Sequence, residues 1–279
     1  MSDLRIFAAF AEELADAGRA AALRVRESDW DAQDKSDGRT YDPVTRADRE
    51  TESAIRALIE ERWSDHGIEG EEFGVKPARG SYCWSLDPID GTRSFICGLP
   101  SWTVLIALLE ERRPVVGVID APRLGERFVG YGDVAELVTV AGRTRLRTSQ
   151  CRALEGARLS TTDPYLFSPN DRSRFERVRE QVRLTRYGLD GYAYARLAAG
   201  GLDLVIESGL APHDMHAVLP VVTAAGGAVS NWRGGHDLSE GKLVAAASAE
   251  LLEDCVALLA RSGDHPATGK EAGEPEYRE

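Results

Sequence analysis

The stretch LDPIDGT, residues 86–92, places two aspartates three positions apart in a segment that also holds a proline. Pro88 fixes its own φ and has no N–H, so it stiffens a turn from which Asp87 and Asp90 point to one side. The glycine and threonine that follow allow close backbone approach and could form an anion site with free N–H groups. Carboxylates beside an anion site make sense when cations lie between them, and oxygen ligands alone indicate Mg²⁺ or a similar hard cation.

Two other interpretations of this stretch are open from the local pattern. Asp-Pro and Asp-Gly are ordinary turn dipeptides, so the segment could be a turn and nothing more. An apolar strand followed by D-x-D-G-T is typical of haloacid-dehalogenase-type phosphatases with an aspartyl nucleophile. The spacing here is D-x-x-D-G-T, and Pro88 occupies the position that the nucleophile would need, which disfavours that class.

Three further stretches carry acidic residues near predicted element ends. Glu71 and Glu72 lie in the Gly-rich segment GIEGEEFG, Asp48 lies in DPVTRADRE, and Asp214 precedes an apolar run in APHDMHAVLPVVTAAGG. Each one has a structural explanation when it is taken alone. Glu71 could belong to a solvated loop, and Asp48 or Asp214 could cap a helix.

The first third of the chain predicts two helices joined by a loop. Apolar residues at helical spacing predict a first helix that ends near Arg26 and a second helix that begins at Thr45 or Asp48. The residues between them, 27–44, are rich in Asp and Gly and predict a loop.

The texture of the sequence changes at Tyr82. From there to about Val140, short β-rich runs are separated by charged or Gly/Pro turns, which predicts a largely antiparallel sheet with hairpins. The first of these strands is expected to end at Asp87.

Helices and strands alternate in the second half of the chain. Helices are predicted over about 171–182, in YAYARLAAG with its end at Gly200-Gly201, over about 214–225 and in AELLEDCVALLAR. Strands are predicted in VRLTRYG, LDLVIES, GAVSNW and KLVAAAS. This alternation predicts a second sheet covered by helices. The predicted organisation is therefore an N-terminal half over 1–145, a C-terminal half over 146–262 and a disordered tail over 263–279.

The composition excludes several classes of protein. A net charge of −12 disfavours non-specific binding to nucleic acid or anionic membranes. The four cysteines form no C-x-x-C pair, which argues against a zinc site or a disulfide framework. The first residues carry charges within their apolar pattern, unlike a signal peptide, and no run approaches the ~18 apolar residues of a membrane span. We therefore expect a soluble, cytoplasmic protein.

The G-E-E, D-P-I-D-G-T and D-x-x-A…A-G-G segments, in this order, resemble the inositol monophosphatase superfamily. This superfamily consists of metal-dependent, lithium-sensitive phosphomonoesterases, and the matching segments extend from about residue 35 to residue 230. The resemblance implies an α/β (α+β) fold, a layered α/β/α/β/α sandwich with the site at the junction of its halves. It also implies a homodimer.

The resemblance assigns metal ligands residue by residue. Glu71, Asp87 and the carbonyl of Ile89 match ligands of a first metal, and Asp87, Asp90 and Asp214 match ligands of a second. Asp87 would then bridge the ions, which we expect to be two or three Mg²⁺. Several carboxylates in one pocket do not all stay ionised unless cations neutralise them, so the assignment is physically consistent.

The resemblance also assigns catalytic and phosphate-binding roles. Gly91 and Thr92 match the phosphate-binding backbone, and Asp48 and Thr92 match the pair that orients and deprotonates the attacking water. Glu71 belongs to the expected catalytic group as well as to the first metal. Lys35 matches a basic residue on the loop that closes over the site.

The substrate assignment rests on a narrower resemblance, to the histidinol-phosphate phosphatase branch of the superfamily. Arg93 after DGT is typical of that branch, Asp190 in YGLDGYAYA matches a substrate-facing position, and Glu207 matches a residue that faces the leaving alcohol. An acidic pair suits a cationic substrate such as L-histidinol phosphate. The structural alternative for Asp190 is a helix cap.

The sequence departs from that branch at the edge of the site. Gly191 stands where cysteine is common, and His213 stands where an aromatic residue normally flanks the metal-binding aspartate. His213 is a candidate substrate contact or general acid, but a stacked histidine with satisfied nitrogens is the favoured interpretation. His213 and His216 suggest a transition-metal site, but the oxygen-rich surroundings favour Mg²⁺.

Three functional hypotheses follow from the sequence. The first is a Mg²⁺-dependent phosphomonoesterase that acts on L-histidinol phosphate by metal-activated water. The second is a phosphatase for inositol phosphate or for a sugar- or nucleotide-derived phosphate. The third is a catalytically silent relative that binds a partner, which the presence of all matched metal ligands disfavours.

Overall fold

The computed structural model describes residues 2–27, 32–34 and 43–261. Lys35 and the predicted tail over 263–279 lie outside the described residues. The described part of the chain contains α-helices with the following bounds: α1 Ser2–Arg26, α2 Arg46–Arg62, α3 Thr92–Ile96, α4 Pro169–Arg179, α5 Tyr192–Ala198, α6 Pro212–His216, α7 Val218–Ala224 and α8 Ala249–Ala260. None of these helices is long and apolar enough to cross a membrane.

The strands form two large sheets and one short pair. Those of the first sheet are β3 Gly67–Gly70, β4 Gly74–Lys76, β5 Tyr82–Asp90, β6 Thr103–Glu110, β7 Arg113–Ala121, β8 Glu126–Tyr131, β9 Val134–Thr139 and β10 Gly142–Arg145. Those of the second are β11 Arg158–Thr161, β12 Leu184–Tyr187, β13 Leu204–Ser208, β14 Ala228–Ser230 and β15 Lys242–Ala246. The short pair, β1 Ala32–Asp34 and β2 Pro43–Thr45, lies mostly in the segment that we predicted as a loop.

The first sheet has the order β10-β9-β8-β7-β6-β5-β3-β4, and all its neighbours are antiparallel except β3 and β5. This confirms the largely antiparallel sheet expected after Tyr82, although β3 and β4 precede that point. The second sheet has the order β12-β11-β13-β15-β14, with β11 parallel to both of its neighbours. Strand β11 was missed by the sequence analysis.

Three buried apolar clusters separate the layers. The first lies between α1, α2 and the first sheet, the second lies between the sheets around α5 and α7, and the third lies between the second sheet and α4 with α8. Strand β6 serves two of them, because Ile106 belongs to the first cluster and its neighbours Leu105 and Ala107 belong to the second. The layers therefore run α/β/α/β/α, as predicted. The division at residue 145 into two halves stays a prediction.

Two predicted element boundaries were wrong. The helix expected over about 214–225 is interrupted at Ala217, where α6 ends and α7 begins. Pro220 explains the break, because it has no N–H to donate to the His216 carbonyl one turn earlier and its ring crowds that carbonyl. The first strand does not end at Asp87 but continues to Asp90.

Candidate active site

A β-bulge in β5 brings Asp87 and Asp90 to the same side of the sheet. Asp87 pairs with Leu105 and Asp90 pairs with Thr103, so three steps along β5 face two steps along β6. In a regular strand, residues three apart point to opposite faces, and one extra residue removes that opposition. Pro88 lies inside the bulge, where an interior strand tolerates a residue without an N–H. The D-x-x-D spacing in LDPIDGT therefore corresponds to a β-bulge that places both aspartates on one side of the sheet.

Acidic side chains from three elements meet beside this bulge. Oxygen atoms of Asp87, Asp90 and Asp214 all lie within 4.8 Å of one another. A second group, formed by Glu71, Asp87 and His213, meets the same limit. Asp87 belongs to both groups, so the structure places it between the other acids. We call Glu71, Asp87, Asp90 and Asp214 the carboxylate cluster.

The α6 backbone holds Asp214 at the edge of the cluster. Its Oδ2 accepts a hydrogen bond from the Ala211 N–H at 2.7 Å, which closes the first turn of the helix. Pro212 occupies the first helical position, where a missing N–H costs nothing. Asp214 therefore caps its helix and still belongs to the carboxylate cluster.

A buried glutamate in α2 positions the loop that carries Glu71. Glu52 accepts hydrogen bonds from the backbone N–H groups of Glu72 at 2.7 Å and Phe73 at 3.3 Å. Its carboxylate also receives a hydrogen bond from Arg56 at 2.7 Å. A Cβ on Gly70 would overlap the Glu52 carboxylate, so only glycine lets the loop come this close. The sequence analysis missed Glu52, although its i,i+4 spacing to Arg56 was a usable signal.

The electrostatics of the cluster require a positive partner. Burial raises the pKa of Asp87 well above its usual value, and the neighbouring charges of Glu71, Asp90, Asp214 and Asp48 raise it further. Burial likewise raises the pKa of Asp90, while hydrogen bonds from Thr103 and Gly191 oppose the shift. Several carboxylates whose pKa values are raised by burial and by one another fit divalent cations, which would neutralise them.

The Gly91-Thr92 pair lies directly after the bulge and begins α3. Gly91 has φ +81°, a left-handed conformation that favours glycine, and a Cβ there would lie 2.9 Å from Oδ2 of Asp190. The Thr92 hydroxyl donates to the Ile89 carbonyl at 3.1 Å. Gly91, Thr92 and Ile89 all line the same cleft as Asp87. Their phosphate- and metal-binding roles stay predictions.

Asp48 is buried in the first turn of α2, and its charge contributes to the raised pKa of Asp87. The structure thus places it within electrostatic range of the cluster. Its role in activating water, together with Thr92, stays a prediction.

The same cleft, of about 460 Å³, extends to a second set of polar side chains. We call Asp190, Glu207, Thr162 and Asp163 the substrate end of the cleft, after the role predicted for Asp190 and Glu207 from the sequence, which stays a prediction. Glu207 is buried and accepts hydrogen bonds from the Thr162 N–H at 2.6 Å, the Thr162 hydroxyl at 3.0 Å and the Thr161 hydroxyl at 3.2 Å. Burial still raises the pKa of Glu207 to about 8.

Asp190 joins the two ends of the cleft. Burial raises its pKa, whereas a hydrogen bond from Ser94 at 3.4 Å and the charge of Arg93 lower it. The next residue, Gly191, donates its N–H to Oδ2 of Asp90 at 2.7 Å, and a Cβ at Gly191 would lie 2.7 Å from the same oxygen. Glycine at this position therefore allows the backbone to contact a cluster carboxylate directly.

Arg93 is exposed at the rim of the cleft and stays a candidate substrate contact. His213 lies against the cluster, with Nε2 at 3.6 Å from Oδ1 of Asp214. The stacked arrangement considered for His213 is not seen, because no aromatic ring of the described residues stacks on it. His216 faces away, toward the Ser85 hydroxyl at 2.9 Å.

The sequence analysis also missed the residues that orient the acids. Thr103 donates its hydroxyl to Oδ2 of Asp90 at 2.8 Å, and Ser94 contacts Asp190. Nothing in the local pattern of either residue marks it as a partner, since 13 positions separate Thr103 from Asp90 and 96 separate Ser94 from Asp190. For Thr103 an indirect signal was available, because it is a polar residue at the start of the otherwise apolar strand β6.

Comparison with known proteins identifies the class to which this fold and site belong. The model of the inositol monophosphatase family matches residues 3–264. The chain belongs to this metal-dependent family and is a phosphoric monoester hydrolase.

Two relatives and one solved structure show the extent of the similarity. The bifunctional phosphatase IMPL2, chloroplastic, of Arabidopsis thaliana is 41% identical over 254 residues, which are 88% of this chain and 70% of that protein. The histidinol-phosphatase of Chlorobaculum parvum is 31% identical over 217 residues, 78% of this chain and 83% of that protein. Among solved structures, an inositol monophosphatase from Zymomonas mobilis superposes with a TM-score of 0.80 at 36% identity, covering 91% of this chain and 98% of that one.

Proposed function

We propose that the chain hydrolyses L-histidinol phosphate to L-histidinol and phosphate in a Mg²⁺-dependent reaction. The observation that carries this proposal is the acidic substrate end of a cleft that also contains the carboxylate cluster. A phosphate ester bound at the cluster would place its alcohol beside Asp190 and Glu207. A leaving alcohol that carries an amine and an imidazole would offer positive charge to both side chains.

The state of Glu207 supports a cationic partner. Because its pKa is raised to about 8, Glu207 is largely neutral at pH 7 in the free protein despite three hydrogen-bond donors. A cation beside it would favour the ionised form, to which those same donors are already directed. An uncharged polyol would gain hydrogen bonds only. The substrate end is thus arranged for a charge that the substrate brings.

The roles of the chain's own residues at the cluster follow from their positions. When bound, Mg²⁺ ions held by Glu71, Asp87, Asp90 and Asp214 would supply Lewis-acid activation of water and neutralise the phosphoryl charge. Asp48 and Thr92 would orient the attacking water and accept its proton. The backbone of Gly91 and Thr92 would bind the phosphate oxygens as charge moves to the leaving oxygen.

The name of one relative supports the choice of substrate, whereas the name of the other states no substrate. The Chlorobaculum parvum protein is named a histidinol-phosphatase, and the Arabidopsis thaliana protein is named a bifunctional phosphatase. A second candidate, inositol monophosphatase activity, is supported by the similarity to the Zymomonas mobilis structure at 36% identity. Both candidates use the same cluster and differ only at the substrate end.

Steady-state kinetics on three substrates test the proposal. With Mg²⁺ present, we expect kcat/KM for L-histidinol phosphate to exceed that for inositol 1-phosphate and glucose 6-phosphate by about tenfold or more, the value of one charged contact. Equal values on all three would make the substrate assignment wrong and leave the phosphatase activity intact. Activity that persists in excess EDTA would contradict the metal dependence.

We also propose, on the resemblance alone, that the protein is a cytoplasmic homodimer that takes a small-molecule phosphomonoester and no nucleic acid or membrane. Sedimentation equilibrium of the purified chain tests the oligomeric state. A mass of one chain, 30.4 kDa, at micromolar concentration would contradict the dimer.

A further inference from the structure

The two halves of the carboxylate cluster offer different donor atoms. Asp87, Asp90 and Asp214 form a group of oxygen donors only. Glu71 and Asp87 form the other group with His213, whose nitrogen meets the same 4.8 Å limit. The carboxylate cluster and His213 together therefore offer two possible metal positions that share Asp87. One has oxygen donors only, and the other has nitrogen and oxygen donors.

His213 is placed for metal binding by the helix that also carries Asp214. It occupies the second residue of α6, directly before Asp214, and its Nε2 lies on the side of the Asp214 carboxylate. At 3.6 Å this nitrogen is too far from Oδ1 for a good hydrogen bond, so the contact does not satisfy it. The imidazole is a quarter exposed and keeps enough freedom to approach a bound cation.

The distances suit a shared ion. Metal–donor bonds of about 2.1 Å place two donors on opposite sides of an ion about 4.2 Å apart. Donor atoms that lie within 4.8 Å of one another reach this spacing after a shift of a fraction of an ångström. Asp87 is 3% exposed and accepts an N–H from Ile89, so it provides a fixed point for such a shift.

We propose that the Glu71–Asp87–His213 position binds a divalent transition-metal ion, Mn²⁺, Co²⁺ or Zn²⁺, through the His213 imidazole. Imidazole binds Zn²⁺ and Co²⁺ well, Mn²⁺ more weakly and Mg²⁺ poorly, whereas the oxygen-only Asp87–Asp90–Asp214 position remains suited to Mg²⁺. The sequence favoured Mg²⁺ for the whole site because its surroundings are rich in oxygen. In the structure only the Asp87–Asp90–Asp214 position has oxygen donors alone. This inference rests on the metal-dependent function proposed above, since it concerns one of its cation positions.

Electron spin echo spectroscopy of the full chain loaded with Mn²⁺ tests the proposal without measuring activity. Directly bound imidazole nitrogen gives a ¹⁴N coupling to the Mn²⁺ spin, and carboxylate ligands give none. We expect this coupling in the wild-type protein and its loss in His213→Phe. We also expect Mn²⁺ affinity by titration calorimetry to fall about tenfold or more in His213→Phe, with Mg²⁺ affinity changed about twofold or less.

A matched control removes the other imidazole of the same helix. His216→Gln deletes a ring that contacts Ser85 and lies outside the donor group, so the ¹⁴N coupling is expected to persist. Glu71→Gln localises the ion, because it should weaken Mn²⁺ binding while the coupling from His213 remains at saturating Mn²⁺. A wild-type spectrum without ¹⁴N coupling overturns the proposal, and so does a coupling that survives in His213→Phe.

These outcomes are separable from those of the proposed function. A protein that hydrolyses L-histidinol phosphate with Mg²⁺ but shows no ¹⁴N coupling would refute the nitrogen ligand alone. A protein that shows the coupling but prefers inositol 1-phosphate would refute the substrate assignment alone. A wild-type spectrum without the coupling overturns the proposal even if a variant fails to fold.

Discussion

The two ends of the cleft hold acidic side chains in opposite ways. At the carboxylate cluster, Asp87 is buried among Glu71, Asp90 and Asp214. Its carboxylate accepts a hydrogen bond from the backbone N–H of Ile89. At the substrate end, Glu207 is equally buried but accepts three hydrogen bonds from Thr161 and Thr162. The first end brings several carboxylates into one space, whereas at the second end neutral donors surround the Glu207 carboxyl.

This difference indicates what each end needs from outside the chain. Neutral donors satisfy Glu207 in either protonation state, so the substrate end is formed before anything binds. Single donors reach individual acids of the cluster, such as the Ile89 N–H to Asp87 and the Thr103 hydroxyl to Asp90, but like charges at this range oppose ionisation. In the proposed function, cations complete the cluster and the substrate end selects what enters. Substitutions at the two ends should separate these functions.

The largest effect is expected from Asp87→Asn. It removes the carboxylate common to both donor groups, so kcat for any phosphomonoester should fall about a thousandfold or more, as expected for loss of metal assistance. In EDTA the same substitution relieves repulsion among the acids, and the Tm of the metal-free protein should rise. Phosphate release and thermal unfolding measure the two results. Full activity in this variant would show that the cluster is not the metal site.

Substitutions at the substrate end should change selectivity and leave hydrolysis intact. Asp190→Asn removes a charge while keeping the side-chain shape, and kcat/KM for L-histidinol phosphate should fall about 10–100-fold, the value of one or two charged contacts. The rate on inositol 1-phosphate should change much less, because that alcohol has no cation to lose. Equal losses on both substrates would indicate that Asp190 acts on the cluster through Gly91 and Gly191.

Glu52→Gln tests whether the cluster depends on a residue that does not belong to it. The amide keeps the volume but replaces one acceptor with a donor, so it opposes the N–H groups of Glu72 and Phe73. The loop that carries Glu71 should loosen, and Mg²⁺ affinity measured by calorimetry should fall about tenfold, as is typical of residues that orient metal ligands. Glu60→Gln on the same helix is the matched control, since Glu60 is exposed and its substitution should leave affinity unchanged.

The sequence identified the acids of the cleft but not their geometry. Asp87, Asp90, Glu71 and Asp214 were assigned as ligands through the resemblance of their motifs to the inositol monophosphatase superfamily, and each also lies near the end of a predicted element. The bulge was missed because its cause is the pairing of β5 with β6, which no local pattern of LDPIDGT reveals.

Long-range partners were missed for the same reason. Glu52 reads as one acid among several on an amphipathic helix, and its burial depends on a loop 20 residues away. The break between α6 and α7 was accessible, since Pro220 lies inside the predicted helix and marks the weakness in advance. The layer order was implied by the resemblance to the superfamily, whereas the pattern along the chain predicted only an antiparallel sheet followed by a second sheet covered by helices.

The most direct comparison of the two ends is the pH dependence carried by Glu207. Its folded-state pKa of about 8 lies above the unfolded value of 4.5, so between these values the folded protein binds the extra proton. The neutral carboxyl therefore stabilises the fold below about pH 4.5, and this stability is lost as the pH rises through about 8.

In Glu207→Gln that loss is absent, because the amide does not titrate. The difference in free energy of unfolding between wild type and Glu207→Gln should shift by at most about 1.4 kcal/mol per pH unit between about pH 5.5 and 8.5. Urea denaturation at a series of pH values in EDTA measures it, and the cluster acids, present in both proteins, cancel in the difference. A difference that is constant with pH would mean that the donors of Thr161 and Thr162 already offset the burial of Glu207, so that its carboxylate stays charged, unlike the mutually repelling acids of the metal-free cluster.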